Sequence, residues 1–413
     1  MFREIIQKSY YPEMKKLFIL SALLLSATST IFAQKGKSDV QMFNPVMTAV
    51  TSLSIAPDSR AGAMGDVGAA TDPDVNSQYW NPAKYPFAIS PAGFSLAYTP
   101  WLRQLVSDID LANLVGYYRI GDYQAISGSL TYFSLGDVYV DDYVIRPYEM
   151  AVDFAYSRML SETFSAAVGL RYILSDLNYK FEDDTEVGQA FAADIALFYS
   201  NYVMLGRREC MLNFGLNASN IGSKISFDGG NTNQFIPTNL RLGTSLMIPI
   251  DEYNTFTLSA DVNKLMVPTK PSYRQYLDET YGEDFEDDSY SYASEYQSWL
   301  DERGYNDVSP IAGIFQSFAD APGGFREELQ EIYWGVGVEY SYNNQFFLRG
   351  GYHYENEYKG NRKYFTLGTG FKMSVFSLDA AYLISTAQSN PLDQTLRFTL
   401  SFDMDGIREI LGR

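Results

Sequence analysis

The sequence predicts an all-β protein, a closed antiparallel transmembrane barrel of about fourteen strands. Segments of about ten residues alternate apolar and polar side chains, which is the period of a strand with one apolar face. Beyond the first 33 residues, no apolar run reaches the roughly 18 residues that a membrane-spanning helix requires. Short and long joins alternate along the chain, which is typical of outer-membrane barrels with short turns at one end and long loops at the other.

The first 33 residues predict a secretory signal peptide. Lys15 and Lys16 precede the apolar run LFILSALLLSATSTIFA, and we expect cleavage after Ala33, with Met14 as a possible true start. A membrane anchor is the alternative, but the run is short and no stop-transfer pattern follows it. The expected organisation is a signal peptide (1–33), an N-terminal extension with a hatch in the lumen (34–93), the barrel (94–403) and a C-terminal tail (404–413).

The alternation is clearest in TLRFTLSF at 395–402, where Leu and Phe share one face and Thr, Arg and Ser share the other. TFTLSADV at 255–262 and NLRLGTSLMI at 239–248 repeat it. A soluble β-sandwich could use the same pattern, but it has no reason to alternate short and long joins around the whole chain. The predicted strands are 94–101, 110–119, 124–135, 149–159, 164–173, 189–199, 211–219, 239–248, 254–264, 332–341, 346–353, 364–371, 375–383 and 395–403.

Composition excludes several classes of function. The formal charge of −19 argues against nucleic-acid binding, which depends on Lys and Arg contacts to phosphate. Cys210 is the single cysteine and His353 the single histidine, so an internal disulfide is excluded and a histidine-based catalytic or zinc site is not indicated. No G-x-S-x-G, Walker or H-E-x-x-H motif is present. We expect no enzymatic activity, no catalytic residue, no metal and no cofactor.

The stretch GAMGDVGAATDPDVNSQYWNPAK at 62–84 predicts a hatch inside the lumen. Its Gly and Ala residues allow close approach to the barrel wall and unusual backbone dihedrals. Two aromatic residues would anchor its exit, and a proline would stop regular structure before the first strand. A dinucleotide-binding loop would need a preceding strand, which is missing. The candidate hatch residues are Gly62, Gly65, Asp66, Tyr79, Trp80, Asn81 and Pro82.

Charged residues on the polar strand faces are expected to line the lumen. They either form a structural network that holds the lumen's contents or mark a substrate path, and their mixed signs favour pairing. Asp66, Asp72 and Asp74 of the predicted hatch are expected to meet lumen arginines such as Arg171, Arg241 or Arg397. The predicted network comprises Asp153, Arg171, Asp194, Arg241, Asp261, Arg349, Asp379 and Arg397.

Residues 265–331 form the longest join and are expected to face outside. The join is acidic and rich in Tyr, and a short helix is predicted over 326–332. Long aromatic-bearing loops are often functional, and aromatic residues commonly anchor interfaces. We therefore predict a partner-binding loop, with a simple barrel lid as the alternative. The candidate contact residues are Trp299, Phe315, Phe318 and Phe325.

Small-residue segments that end in Asn-Pro-Ala ahead of a fourteen-stranded barrel resemble the FadL-type outer-membrane proteins. More finely, four stretches resemble the PorV family of the type IX secretion system of Bacteroidetes. They extend from residue 56 to 404 and so span nearly all of the expected mature chain. They are APDSRAGAMGDVGAATDPDVNSQYWNPAKYPFA, GIFQSFADAPGGFREELQEI, KGNRKYFTLGTGFK and NPLDQTLRFTLSFD.

The resemblance implies a non-enzymatic, FadL-like integral protein of a Gram-negative outer membrane, with its long loops outside. Such proteins bind the C-terminal signal domain of cargo at the giant translocon barrel and shuttle it to a PorU-like cell-surface sortase. Outer-membrane lipids, including lipopolysaccharide, are further implied partners. The alternatives are a FadL-type channel for hydrophobic small molecules and a soluble secreted β protein. The acidic outward loop favours the shuttle over a channel. Many barrels end on an aromatic residue, whereas DMDGIREILGR follows Phe402 here, which leaves the insertion signal open.

Overall fold

The structure, a computed structural model, describes residues 43–103, 106, 108–140, 143–177, 186–230, 233–282, 292–386 and 392–404. The predicted signal peptide and residues 405–413 of the predicted tail lie outside the described residues. Within them, fourteen antiparallel strands form a closed barrel in which the first strand pairs with the last, so the predicted fold is confirmed. The barrel strands are β1 (Ala92–Pro100), β2 (Ile109–Ile120), β3 (Gln124–Leu135), β6 (Tyr148–Ser161), β7 (Phe164–Asp176), β8 (Gly188–Leu205), β9 (Arg208–Gly222), β10 (Asn239–Pro249), β11 (Asn254–Leu265), β12 (Tyr333–Tyr342), β13 (Phe346–Tyr354), β14 (Lys363–Lys372), β15 (Phe376–Ser385) and β16 (Leu396–Asp403).

Two local features differ from the sequence prediction. β8 and β9 are longer than predicted and meet at a tight turn at Gly206, whose φ is 68°, where we expected an eleven-residue join over 200–210. Polar residues such as Asn201 interrupt the alternation there, because this part of the hairpin is exposed on both faces. The predicted loop 136–148 contains a separate hairpin, β4 (Val138–Val140) and β5 (Tyr143–Ile145), while β3 pairs directly with β6.

Burial alternates along the strands as a membrane barrel requires. In β16, Leu396 and Phe398 are exposed while Arg397 and Thr399 are buried. In β7, Leu170 is exposed while its neighbour Arg171 is buried. Apolar side chains therefore face outward, where lipid would solvate them, and polar side chains face the lumen.

The N-terminal segment, which we define as residues 43–91, contains four short helices: a 3₁₀ helix at Thr51–Ser54, α1 (Ser59–Gly62), α2 (Ser77–Trp80) and a 3₁₀ helix at Pro82–Phe87. The insert, which we define as residues 266–332, contains α3 (Tyr273–Tyr281), α4 (Ala293–Glu302), α5 (Pro310–Gln316) and α6 (Phe325–Gln330). The last of these helices corresponds to the predicted helix at 326–332. In the described part of the chain, no helix has the length and apolar character needed to cross a membrane.

Candidate functional site: the lumen and the anchored insert

The N-terminal segment runs from one end of the barrel to the other. Near its start, the Asn44 amide donates to the Tyr358 carbonyl over 2.8 Å, in the long join after β13. Near its end, the Pro91 carbonyl accepts a 2.7 Å hydrogen bond from the Arg119 amide, beside the short join after β2. The segment therefore passes from the end with long joins to the end with short turns.

Between these ends, the segment bonds to strands on different sides of the ring. The Ser95 hydroxyl of β1 donates to the Asn76 side chain over 2.7 Å. On β11, Asp261 accepts hydrogen bonds from the backbone amides of Gly68 and Ala69 at 2.8 and 2.9 Å. Because the strands that it contacts surround it, the segment occupies the lumen.

Glycines of the wall let residues 63–70 lie directly against the strands. A Cβ atom on Gly351 would lie 2.2 Å from the backbone nitrogen of Gly65, and one on Gly335 would lie 2.3 Å from its carbonyl oxygen. Ordinary van der Waals contact begins near 3.4 Å, so no side chain fits at these positions. We call the wall glycines that meet residues 63–70 the glycine seat; they are Gly215, Gly243, Gly335, Gly337, Gly351 and Gly368.

The two predicted hatch glycines also lie in close contact with the wall. Gly65 has a φ of 73°, and a Cβ atom there would lie 2.6 Å from the Tyr352 carbonyl oxygen. A Cβ atom on Gly62 would lie 2.3 Å from Nη1 of Arg397. A side chain at Gly65 would meet backbone atoms and would also require a left-handed backbone, whereas a side chain at Gly62 would displace the side chain of Arg397.

Tyr79 and Trp80 pack against each other inside the lumen. The indole Nε1 of Trp80 donates to Asp58 over 2.5 Å, and the guanidinium of Arg241 lies 4.5 Å from the Trp80 ring centroid. The Tyr79 and Trp80 rings meet edge to face at 4.8 Å, and the Tyr79 hydroxyl donates to the Leu53 carbonyl over 3.3 Å. The aromatic pair therefore ties the second half of the segment to the first half and to β10.

Asn81 and Pro82 form the corner that follows. The Asn81 amide nitrogen donates to the carbonyls of Ala69 and Leu197, each over 2.9 Å, and so joins the segment to β8. The Asn81 side-chain oxygen accepts from the Ala83 amide over 3.0 Å and caps the following 3₁₀ helix. Pro82 is the first residue of that helix, where its missing N–H costs no hydrogen bond.

The predicted lumen charges fall into separate buried clusters. Arg171 of β7 donates to Asp153, and its Nη2 lies 3.1 Å from Asp194. Arg349 of β13 lies 2.6 Å from Glu339 and 2.5 Å from Asp379. Each arginine therefore has two carboxylate partners, and neither cluster contains a line of unpaired charge of one sign.

One aspartate of the segment pairs with an arginine of the wall, as expected. Asp66 lies 2.6 Å from Nη1 of Arg397 and accepts a 2.5 Å hydrogen bond from the Tyr364 hydroxyl. Asp72 instead accepts a 3.2 Å hydrogen bond from Asn213.

Arg241 and Asp261 do not pair directly, although they lie on neighbouring strands. Arg241 donates from Nε to Asn263 over 2.8 Å and stacks on the aromatic pair, while Asp261 bonds to the segment's backbone. The sequence predicted that both line the lumen, and the structure gives them different partners.

Sequence reasoning missed Arg60 and Lys84, the two cations between residues 43 and 91. Arg60 lies 3.1 Å from Glu339 of the wall and 2.9 Å from Asp74 of its own segment. Lys84 is fully buried, and its Nζ donates to the Gly68 carbonyl over 2.8 Å. Their isolation in a stretch of small residues was the signal that could have identified them.

Two lysines anchor the insert to the barrel rim. Lys264, at the end of β11, lies 3.0 Å from Glu328 and 2.5 Å from Glu331. Lys359, in the join after β13, lies 3.1 Å from Glu331 and 2.5 Å from Glu327. Because these carboxylates lie in or beside α6, both lysines fix this helix to the wall.

Asp320 lies beside this cluster, and it accepts a 3.0 Å hydrogen bond from the Thr269 amide. Burial raises the pKa of Asp320 to about 6, the Thr269 hydrogen bond opposes the shift, and the negative charges of Glu328 and Glu331 add to it. The insert therefore carries a carboxyl that titrates closer to neutral pH than an ordinary aspartate does.

The insert presents apolar side chains outward. Of the predicted contact residues, Phe315 is 75% exposed, Phe325 is 59% exposed and Phe318 is 49% exposed. The spacing of Ile311 and Phe315 on α5, and of Phe325 and Leu329 on α6, places each pair on one helix face. We call these five exposed residues the insert apolar surface.

Trp299 does not belong to this exposed set. It is half-buried and packs against Tyr276 and Tyr296, with ring centroids 5.6 and 6.1 Å away. The guanidinium of Arg303 lies 4.1 Å from its ring centroid. Trp299 thus contributes to an aromatic core inside the insert.

A small cavity lies between the N-terminal segment and strands β2, β3, β6 and β7. Its lining combines apolar side chains such as Leu53 and Val115 with the polar or charged side chains of Asn113, Asp153 and Arg171. Across the described part of the chain, no group of three or more His, Cys, Asp or Glu side chains is arranged to hold a metal ion.

A sequence-family model described as Type IX secretion system protein PorV matches residues 38–272, which is more than half of the chain. No curated protein sequence gives a significant match. Among solved structures, the toluene transporter TbuX of Ralstonia pickettii is similar, with 12% identity, 88% of this chain and 97% of that chain covered and a TM-score of 0.42. The Pseudomonas putida toluene transporter TodX has 10% identity, coverage of 88% and 100% and a TM-score of 0.44. A Pseudomonas aeruginosa FadL homologue has 10% identity, coverage of 87% and 99% and a TM-score of 0.42.

Proposed function

The chain belongs to the PorV family of the type IX secretion system, and from this membership we propose that it receives the C-terminal signal domain of exported cargo at the translocon. It is an outer-membrane component of that system. In the proposed cycle, the protein carries the cargo to a PorU-like cell-surface sortase, while lipids and lipopolysaccharide of the outer membrane surround its barrel. The protein binds and positions its partners and carries out no chemistry itself.

The observation that carries this proposal is the insert apolar surface on an anchored support. Phe315, Phe318 and Phe325 are exposed, while two lysines fix α6 to the rim. Exposed apolar side chains held in place lose little conformational entropy on binding, which suits a docking surface. We propose that the long joins face the cell exterior, as in other outer-membrane barrels, so that this surface meets cargo there.

The residues at 62–84 are proposed to form a stationary hatch. The glycine seat and the Asp66–Arg397 pair hold the segment against the wall. A FadL-type channel for hydrophobic molecules needs an open path, but the N-terminal segment occupies the lumen and is hydrogen-bonded to strands on opposite sides of the wall. The strand ladders also close the wall, with register shifts only at Met159/Ser161 and Ala193/Ile195 among the described pairs. These features favour the shuttle.

The test is a binding assay with the full-length protein in detergent or nanodiscs and a purified cargo signal domain. We compare the wild type with a variant that carries Phe315→Ser, Phe318→Ser and Phe325→Ser. The matched control is Ile89→Ser, since Ile89 is 96% exposed and lies just before β1 at the opposite rim. The triple variant should bind at least about tenfold more weakly, because exposed aromatic anchors commonly dominate interface energy, and the control should bind like the wild type.

Binding of all three proteins with equal affinity would contradict the role of the insert. Recovery of neither the signal domain nor the translocon, together with fatty-acid uptake across a bilayer, would favour the channel instead. Co-purification of the wild type with the translocon would support the proposed site of cargo transfer.

A further inference from the structure

The exposed part of α5, of α6 and of the turn between them is apolar except for one arginine. From Pro310 to Gln330, all of which the structure describes, Arg326 is the single charged residue that is exposed. It lies on α6 between Phe325 and Leu329 of the insert apolar surface, and residues three apart on a helix are neighbours. The arginine is therefore part of the surface on which the proposed docking depends.

The acidic side chains next to this arginine are bound on the barrel side of α6. Glu328 and Glu331 are buried and pair with Lys264 of the rim, at 3.0 and 2.5 Å. Glu327 is half-buried and pairs with Lys359 at 2.5 Å. Because lysines of the rim neutralise these carboxylates, none of them is left to neutralise the arginine.

Arg326 differs in this respect from the other arginines of the insert. Arg274 pairs with Asp278 at 2.8 Å. Arg303 pairs with Glu279. No ion pair or hydrogen bond joins Arg326 to another described residue, although the insert contains fifteen acidic and only four basic residues. Its guanidinium is therefore available to a group from outside the chain.

A partner that covers the insert apolar surface would also remove Arg326 from water. Burying a cation without a countercharge is costly, so the partner has to supply an anion at this position. A carboxylate is the group in proteins that meets a planar guanidinium with two parallel hydrogen bonds. The insert thus selects its partner by the charge at Arg326 as well as by apolar contact.

We propose that the cargo signal domain docks through an apolar segment that carries one Asp or Glu side chain, and that this carboxylate pairs with Arg326. This inference rests on the proposed function. Apolar residues stand on both sides of Arg326 along α6, so the matching carboxylate belongs within the segment rather than at a chain end. Asp301, Glu302 and Asp307 precede α5 and are exposed, and they would repel a partner or a lipid headgroup with several negative charges.

The test measures the affinity of the full-length protein for a purified cargo signal domain. Arg326→Gln should weaken binding by about tenfold, because a hydrogen-bonded charge pair is lost at a covered position. Arg274→Gln is the matched control, since it removes the same charge from the same insert, and it should change binding by about twofold or less. Arg326→Lys keeps the charge without the paired hydrogen bonds and should give an intermediate affinity. Arg326 has no partner in the chain, so its variants should fold like the wild type.

The signal domain provides the other half of the test. Its Asp and Glu side chains are changed one at a time to Asn and Gln in detergent-solubilised binding assays. One of these changes should weaken binding to the wild type by about the same factor as Arg326→Gln, and it should cause little further loss when it is combined with Arg326→Gln.

The outcomes separate this inference from the proposed function. If Arg326→Gln and Arg274→Gln bind like the wild type while the triple phenylalanine variant binds weakly, the carboxylate pairing is wrong and docking at the insert stands. If the wild type does not bind the domain, both fail. If only amidation of the domain's C-terminus weakens binding, the carboxylate is a chain end and the inference is overturned. An effect of Arg326→Gln that is seen only in nanodiscs with anionic lipid would assign the arginine to a lipid headgroup and would also overturn it.

Discussion

The glycine seat makes a quantitative prediction at Gly351. In Gly351→Ala, the new Cβ atom would lie 2.2 Å from the Gly65 nitrogen and from the Met64 carbonyl carbon. These contacts must open by about 1.2 Å to reach the 3.4 Å of ordinary contact. The atoms that must move belong to the backbone, and Thr366 holds the same nitrogen through a 2.9 Å hydrogen bond. Overpacking of this kind costs about 1–3 kcal/mol, and we expect the upper part of that range.

Gly350→Ala is the matched control, since Gly350 is the preceding residue of the same strand and faces outward. Its Cβ atom would meet nothing closer than Leu367 at 3.8 Å, which is an ordinary contact. Both changes replace Gly by Ala in the same strand, so the effect of the lower backbone entropy of Ala on the unfolding free energy cancels between them. Urea unfolding in detergent, followed by tryptophan fluorescence, should show a lower unfolding free energy for Gly351→Ala alone.

Permeability provides the second readout for the same pair of variants. If the segment is a hatch, displacing it by about 1 Å at the seat should make liposomes that contain Gly351→Ala swell faster in small sugars than those with Gly350→Ala. Equal unfolding free energies for the two variants would refute the reasoning about the seat. If Gly351→Ala has a lower unfolding free energy but its liposomes swell no faster, the result would support the glycine seat and contradict the hatch. Deletion of residues 62–84 should give the larger leak.

Three further predictions concern the ion pairs, the titrating carboxyl and the course of the chain. Arg397→Gln leaves Asp66 buried without its cation, so the unfolding free energy should fall by about 3–5 kcal/mol in the same urea assay; an unchanged midpoint would contradict a buried pair. The folded-state pKa of Asp320 is about 6, above its ordinary value of 3.8, so the folded state favours the protonated form and stability falls as pH rises from about 4 through 6. Limited proteolysis should therefore cut the wild-type insert faster at pH 7 than at pH 5, with a smaller difference for Asp320→Asn. Because Asn44 bonds to the long join at Tyr358, an epitope inserted just before Phe43 should be accessible to antibody on intact cells, and labelling only after permeabilisation would contradict the proposed orientation.

The barrel was predictable because strand identity is a local property. Each strand carries its own period-two pattern, as in β16, where Phe398 faces out and Arg397 faces in. The alternation of short and long joins along the chain predicted that the barrel is closed, that neighbouring strands in the chain pair with each other and that there are fourteen strands. The hairpin of β4 and β5 was missed because three-residue strands are too short to show a period.

The pairings inside the lumen were not predictable from the sequence. Asp66 and Arg397 are 331 residues apart, and their contact depends on the register of β16 and on the path of the segment together. The glycine seat could not be predicted from the sequence either, because its six glycines are distributed over β9, β10, β12, β13 and β14. A single sequence shows glycines in strands, but it does not show that they face one stretch of backbone. The candidate hatch residues could be selected by composition, whereas their partners required the structure.

The contacts inside the lumen help to decide whether the protein acts through its lumen or at its rim. To leave the barrel, the segment would have to separate Asp66 from Arg397 and Arg60 from Glu339. Separating a buried ion pair without a new partner for either charge is unfavourable, and both pairs would have to break together. A transport cycle that empties the lumen would need this step, whereas docking at the insert does not. The energetics therefore favour a protein that acts at its rim while its lumen stays closed.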